Sequence, residues 1–376
     1  MATQSASYVG RSMRRREDRK FLTGRGRYVD DIALAGMLYL AIHLRSPHAH
    51  ARITGIDLSA ARAAAGVRLA LAGADLCGKI GNIKPNWVIP GTVLPDRPVV
   101  AVDRVRFVGE CVALVVGETR EAASDALELI DVAYEALPVV INEEAAIAEG
   151  ATQLHENVPH NITTYFKTGG GDYAAAVRQA DHVLRLRLVN NRLIPTCLET
   201  RAILAEPGVD GRVTMYLPSQ VPHMHRRWIA ETVDIPEHLL RVVAPDIGGG
   251  FGAKMHLYPE ELLCAWLARE LKSPVKWCLA GRQLCLLPHA PFMLVSDVAC
   301  LEGIGLRPHL QDQIDDVLER QVVGVRPMPA APAQVVAHLL LGNADKRVVD
   351  GIDAQPGEFA VGLDRRFGLQ HVPPVG

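Results

Sequence analysis

Between residues 247 and 261 the chain reads IGGGFGAKMHLYPEE, with four glycines and one phenylalanine in the five positions Gly248 to Gly252. Glycine loses more backbone entropy on folding than any other residue. Such a run is kept only where φ must be positive or where something approaches the backbone closely. Before it stands the strand-like LLRVVAP (239–245). After it comes Pro259, suited to the first turn of a helix, with Glu260 and Glu261 placed to favour the helix dipole. Leu262, Leu263, Trp266, Leu267 and Leu271 then recur at helical spacing. The glycines therefore occupy a strand-to-helix loop, and the question is what that loop holds.

As a phosphate-binding P-loop the run is poor. Gly248 is followed after four residues by Ala253, Lys254 and Met255, so the second glycine and the magnesium-binding Ser or Thr are both missing. As a dinucleotide fingerprint, Gly248, Gly250 and Ala253 fit GxGxxA after a strand. The helix nevertheless begins about six residues too late to meet a pyrophosphate, and no ribose-binding acid follows PVKW at about 20 residues. A tight turn that only packs strand on helix needs one or two glycines and gives no reason for Phe251. A valine at Gly250 is expected to block a positive φ and to fill the space a ligand oxygen would use.

Three segments separate on pattern. From Tyr28 to about Ile141, the strand-like runs 37–46, 105–117 and 132–141 alternate with helices. One helix is expected to begin at the N-cap Ser59 and stop at Gly66. The other is expected to begin at Thr119, with Ala122, Ala126, Leu127 and Ile130 on one face. Residues 81–97, with Pro, Gly and Asn, read as a long loop. A glycine-rich connector, KTGGGDY (167–173), precedes helix 173–180, strands 182–191 and 212–220, helix 223–233 and the strand before the glycines. From Cys278 the composition changes. All four Trp and all eight Tyr lie before it, one lysine (Lys346) lies after it, and its apolar runs lack a steady period, so an irregular tail is expected.

Forty Lys plus Arg against forty-two Asp plus Glu argue against a nucleic-acid or anionic-membrane partner. The basic run Arg11 to Lys20 is interrupted by Glu17 and Asp18 and followed by no apolar core, so it reads as a solvated leader. No stretch reaches membrane-spanning length, and the cytoplasm is the expected location. The seven cysteines form no CxxC pair or ferredoxin-like spacing, so redox centres would be held elsewhere, and most cysteines are expected to be buried small hydrophobes.

DIGGGFGAKMHLYPEELLCAWLARELKSPVKW resembles the glycine-rich cofactor segment of the molybdenum hydroxylase large subunits: xanthine dehydrogenase, aldehyde oxidase and aerobic carbon monoxide dehydrogenase. RREDRKFLTGRGRYVDDI (15–32), LRSPHAHARITGID (44–57), residues 105–140 and LPSQVPH (217–223) are similar to that family in order and spacing, over about residues 9 to 277. The resemblance implies an α+β fold: an N-terminal leader and α/β-hammerhead domain (1–148), the first molybdopterin-binding domain (149–277) and an irregular C-terminal tail (278–376). It implies that Gln220, Gly249, Gly250, Phe251 and Gly252 bind a molybdenum–molybdopterin cofactor, in dinucleotide form, with no side chain here ligating the metal directly. In the family the loop's N–H groups and its Phe lie beside the molybdenum, and the Gln hydrogen-bonds an oxygen ligand of the metal. Bare amides in a nest suit anionic oxygens, and a phenylalanine excludes water. Gln220 and His223, taken alone, read as solvated surface residues.

The resemblance further implies a small-molecule substrate and partners, namely an iron–sulfur small subunit and an FAD-binding medium subunit. Met255 stands where purine-oxidising members carry a glutamate, which disfavours a purine. After Trp277 the family continues with an arginine-containing loop, a second cofactor domain and a catalytic glutamate acting as general base. Here the chain reads CLAGRQLCLLPHAP. A frameshift or truncation at that point, and a chain inactive alone, are the expectations. The alternatives are a non-catalytic remnant or assembly partner that keeps the fold and, more distantly, a dinucleotide-binding dehydrogenase.

Overall fold

The computed structural model describes residues 8–42, 44–85, 88–165, 172–179, 183–190, 195–279 and 294–301, within the compact unit Met1–Asn343. Its strands are β1 (Leu38–Ala41), β2 (Ala51–Asp57), β3 (Val67–Ala72), β4 (Arg104–Val105), β5 (Ala113–Gly117), β6 (Asp131–Ala136), β7 (Val183–Asn190), β8 (Ala202–Pro207), β9 (Val213–Tyr216), β10 (Leu240–Val243), β11 (Val275–Cys278) and β12 (Leu294–Leu301). Seven of them form one sheet in the order β10-β9-β8-β11-β1-β5-β3, while β4-β2-β6 and β12-β7 form separate sheets. In the large sheet β1 runs parallel to β11, with Leu38 opposite Val275, so strands from both ends of the described chain share one hydrogen-bonded layer.

Period-two alternation explains why that sheet is covered on both faces. Leu38, Leu40, Leu114 and Val116 join a core with Leu262, Leu263 and Leu267 of helix Pro259–Leu271. The intervening Ala41, Ala113 and Val115 join a second core with Ala123, Ala126 and Leu127 of helix Arg120–Glu128. A strand buried on both sides must be apolar throughout, and β5 (ALVVG) is.

Most elements lie where the pattern places them. Thr119 caps its helix, its hydroxyl accepting the Ala122 N–H at 3.1 Å. Helices Tyr173–Gln179 and Pro222–Thr232 form, residues 81–97 carry no strand or helix among those described, and His223 is exposed. Ser59 is not an N-cap. It is the first residue of helix Ser59–Ala63, and the Asp57 carboxylate accepts its N–H at 2.8 Å, an ionised acceptor displacing a hydroxyl. Strands β2, β3 and β8 carried no clear pattern. Of the irregular tail, β12 is ordered as a strand paired antiparallel with β7. The remainder of 280–376, and 167–171 of the glycine-rich connector, lie outside the described residues. Cys111, Cys197 and Cys264 are buried, whereas Cys77 is exposed. Among the described residues no helix is long and apolar enough to cross a membrane.

Glu260 and Glu261 do more than favour a helix dipole. Both are buried, and two arginines meet them: Arg45 reaches Glu260 at 2.5 Å, and Arg201 reaches Glu260 at 3.3 Å and Glu261 at 2.6 Å. Burial alone would raise the Glu260 pKa, but the Arg201 and Arg45 guanidiniums outweigh it and hold the carboxyl below its ordinary value. Burial dominates at Glu261 and pushes its carboxyl up to about 7, against the pull of Arg201.

A raised carboxyl pKa gives a definite sign. Between the ordinary 4.5 and about 7 the folded chain holds a proton at Glu261 that the unfolded chain has lost. The stability from this group is therefore complete below pH 4.5 and declines as pH rises through about 7, by roughly 3 kcal/mol in all. Urea melts of the parent and Glu261→Gln across pH 4 to 8 should show a more negative stability slope in the parent over that window. Parallel slopes would mean that Glu261 ionises normally.

Candidate functional site

Three loops converge on the glycine run. Residues 195–201 precede β8, residues 217–221 leave β9, and residues 244–258 connect β10 to the long helix. Within the run φ is +100° at Gly249, +46° at Phe251 and +87° at Gly252. Gly250 does not have a positive φ, contrary to the expectation above. Its need for glycine is steric, because a Cβ there would lie 2.7 Å from both Cδ and Oε1 of Gln220. Around Gly252 a Cβ would meet nothing within 4 Å, so that position is glycine for conformation alone. Phe251, bearing a side chain at positive φ, is 73% exposed.

The loop's hydrogen bonds are divided unevenly. Gln220 Oε1 accepts from the Gly252 N–H at 3.0 Å and the Lys254 N–H at 3.3 Å, while the Gln220 N–H donates to the Lys254 carbonyl at 2.9 Å. Two N–H donors on one oxygen fix which end of the Gln220 amide faces the loop. The Gly248 N–H donates to Glu199 Oε2 at 2.8 Å. Among the described residues, the N–H groups of Gly249, Gly250 and Phe251 donate to no protein oxygen. Three successive amides without a protein acceptor are the kind of donor set that meets an anionic oxygen.

Gln220 is exposed, yet its backbone is held from below. Ser219 Oγ accepts the Val221 N–H at 2.9 Å and lies 2.7 Å from His225 Nδ1, while His225 Nε2 lies 3.0 Å from the His256 carbonyl. Burial pushes the His225 pKa down to about 4, so the ring is neutral near pH 7, with Nε2–H donating to His256 and Nδ1 accepting from Ser219. At the far end of the loop Tyr258 donates its hydroxyl to the Ala253 carbonyl at 2.5 Å, and its ring lies 3.7 Å from the Arg201 guanidinium. Asp246, just before the glycines, pairs with Lys20 and accepts the Arg27 N–H at 2.8 Å. The structure thus brings Gln220 onto the glycines. Sequence reasoning missed Glu199, Ser219 and His225, and it weighed Lys254 only as a P-loop lysine.

Residues 154–287 match the family model for a molybdopterin cofactor-binding domain, and residues 23–138 match that for the aldehyde oxidase and xanthine dehydrogenase a/b hammerhead domain. The expected order, hammerhead then molybdopterin-binding domain, is therefore present. The chain is 36% identical to the nicotine 6-hydroxylase large subunit of Paenarthrobacter nicotinovorans, covering 80% of this chain and 37% of that protein. It is 35% identical to the carbon monoxide dehydrogenase large chain of Afipia carboxidovorans, covering 72% and 34%. Among solved structures, quinoline 2-oxidoreductase from Pseudomonas putida 86 superposes with a TM-score of 0.71 at 37% identity, covering 78% of this chain and 37% of that one. The chain thus spans about a third of the length of these relatives, two of which are named as a large subunit and a large chain.

The two glycine roles separate experimentally. Gly252→Ala should cost about 1–2 kcal/mol from left-handed strain alone. Gly250→Ala should cost about 1–3 kcal/mol by displacing Gln220, and Gln220→Ala should relieve most of that cost in the double variant. Urea melts of the four variants check this. Additive losses for Gly250→Ala and Gln220→Ala would show that Gln220 does not fill the space over Gly250.

Proposed function

Since the chain belongs to the molybdenum hydroxylase large-subunit family, we propose that it forms the cofactor-holding part of such an oxidoreductase, with the glycine loop as its molybdopterin cradle. The observation that carries this reading is the trio of undonated amides at Gly249, Gly250 and Phe251, flanked by amides that the protein itself has satisfied. The residues present fit the group: an anionic, oxygen-rich ligand supplies the acceptors these donors lack, and the space over Gly252 is open. When bound, the molybdenum–pterin group supplies oxygen-atom transfer and accepts two electrons.

The assigned residues have separate tasks. Gly249, Gly250 and Phe251 donate backbone N–H groups to the cofactor. Gly252 permits the turn, and the exposed Phe251 ring excludes water from the reacting face. Gln220 uses Oε1 to hold the loop, and its Nε2, which has no protein partner among the described residues, donates to the cofactor. The carboxylates beside the loop are engaged otherwise: Asp246 with Lys20 and Arg27, Glu199 with Lys254 and Gly248, and Glu260 and Glu261 with arginines. This part of the protein holds and orients, and the proton-accepting base lies elsewhere.

We assign the cofactor as the dinucleotide form, the partners as an iron–sulfur small subunit and an FAD-binding medium subunit, and the location as the cytoplasm. The substrate is a small neutral molecule such as carbon monoxide, an aldehyde or an N-heterocycle, in keeping with the apolar Met255. The domains are 1–148 and 149–277.

Purified from a host that makes the cofactor, the full chain should carry molybdenum and a pterin that fluoresces after oxidation. Gln220→Ala should reduce both about tenfold, the worth of one hydrogen bond to a charged group, while the loss of the two loop hydrogen bonds to Oε1 costs about 1–2 kcal/mol of stability and leaves the chain folded. A folded chain without molybdenum or pterin, alone and with partner subunits, would refute the reading.

A further inference from the structure

Among the described residues, Glu199 bonds with its side chain to both Gly248 and Lys254, at the two ends of the glycine loop. Its Oε2 accepts the Gly248 N–H at 2.8 Å and the Lys254 ammonium at 2.7 Å, six residues further on. Its own backbone N–H donates to the Gly248 carbonyl at 3.2 Å. The packing is equally close: a Cβ added at Gly248 would lie 2.5 Å from the Glu199 Cβ, and one at Gly249 would lie 3.5 Å from the Cys197 Cβ. The Lys254 side chain is 2% exposed and that of Glu199 12% exposed, so the pair is withdrawn from water.

A buried lysine is costly unless paired, and this pairing does not join two elements of the core. Both of its charges serve the loop. Glu199 Oε1 is buried and has no partner in the protein, although a second donor there would improve an ordinary structural ion pair. The carboxylate's side-chain bonds are all spent on the loop's first and last residues, through one oxygen.

We propose that Glu199 is a positioning residue for the molybdopterin loop. With Lys254 it draws the ends of the loop together, so that the amides of Gly249, Gly250 and Phe251 are splayed in the binding geometry before a ligand arrives. This inference rests on the function proposed above for the loop, but its geometric half stands on the protein alone. Preorganised donors lose no free energy to reorganisation on binding, and the clamp therefore raises the affinity of the cradle without touching the ligand.

The test uses the full chain and four variants: Glu199→Ala, Glu199→Gln, Lys254→Met and the double Glu199→Gln/Lys254→Met. Hydrogen exchange of the peptide spanning 246–256 reads the clamp, and molybdenum and pterin content reads the cradle. In Glu199→Ala the 246–256 amides should exchange at least about tenfold faster, as loss of one charge-assisted hydrogen bond implies, with β8 and helix Pro259–Leu271 unchanged. Cofactor content should fall in parallel. Glu199→Gln keeps an acceptor for Gly248 but leaves Lys254 unpaired, and the double variant removes that stranded charge. Loop protection and cofactor content should therefore recover only in part in the double variant relative to Glu199→Gln, because the stranded charge is gone but the pair that drew the loop ends together is gone too, and cofactor content should stay below the parent's even where the melting temperature returns to it, which a merely structural pair would not produce.

Should Glu199→Ala not fold, Glu199→Gln and its double decide by the same readouts. A loop-restricted rise in exchange in a chain that never carries molybdenum would uphold the clamp and sink the cofactor reading. Unchanged exchange in 246–256, or cofactor retained at the parent level despite faster exchange, would overturn the proposal.

Discussion

Two carboxylates side by side at the start of a buried helix are tolerable only because Arg201 and Arg45 meet them there. The four residues come from three distant parts of the chain: Arg45 after β1, Arg201 at the start of β8, and Glu260 and Glu261 after the glycine loop. Replacing such a cluster by hydrocarbon is often neutral for stability. Hydrocarbon has no directional demand, however, whereas a guanidinium between two carboxylates admits few relative placements of the segments that carry them. The same Arg201 plane lies against Tyr258, whose hydroxyl holds the Ala253 carbonyl, so the far end of the loop inherits its position from the cluster.

The elements were legible wherever a local period carried them. β5 is continuously apolar because helices cover both its faces, and Thr119 reads as a cap because its hydroxyl is the nearest acceptor. β8 was not legible. AILAEP is short and directly follows the buried Arg201, whose counter-charges lie 59 and 60 residues away. The dipole reading of Glu261 captured a real local contact, since its carboxylate accepts the Tyr258 N–H at 2.8 Å, but it could not foresee a nonlocal ion pair. Ser59 failed for a related reason: a hydroxyl cap was inferred without weighing the carboxylate two positions earlier.

At the site, the glycine run was legible because four glycines in five positions are chemically extreme. What each one does was not. Gly249 and Gly252 are needed for conformation, while Gly250 is needed for its missing Cβ, and that distinction depends on Gln220, which arrives from 30 residues upstream. Glu199 and His225 left no sequence signal, for their roles are defined only by what folds against them. A neutral, buried histidine bonded to Ser219 and to the His256 carbonyl holds the strand end that presents Gln220, while the histidine that attracted notice, His223, is exposed.

The loop is consequently bonded at its flanks and open at its centre. Gln220 Oε1 takes two donors and Glu199 Oε2 takes two, from Gly248, Gly252 and Lys254, all at the margins of the run. Among the described residues the outer donors are satisfied and the inner three are not, although Gln220 approaches closely enough to exclude even a methyl group at Gly250. Fixing the margins narrows the conformations available to the centre, where φ is positive at Gly249, Phe251 and Gly252. Phe251 is the one non-glycine residue of the run at positive φ, and it carries an exposed aromatic ring beside the three open amides.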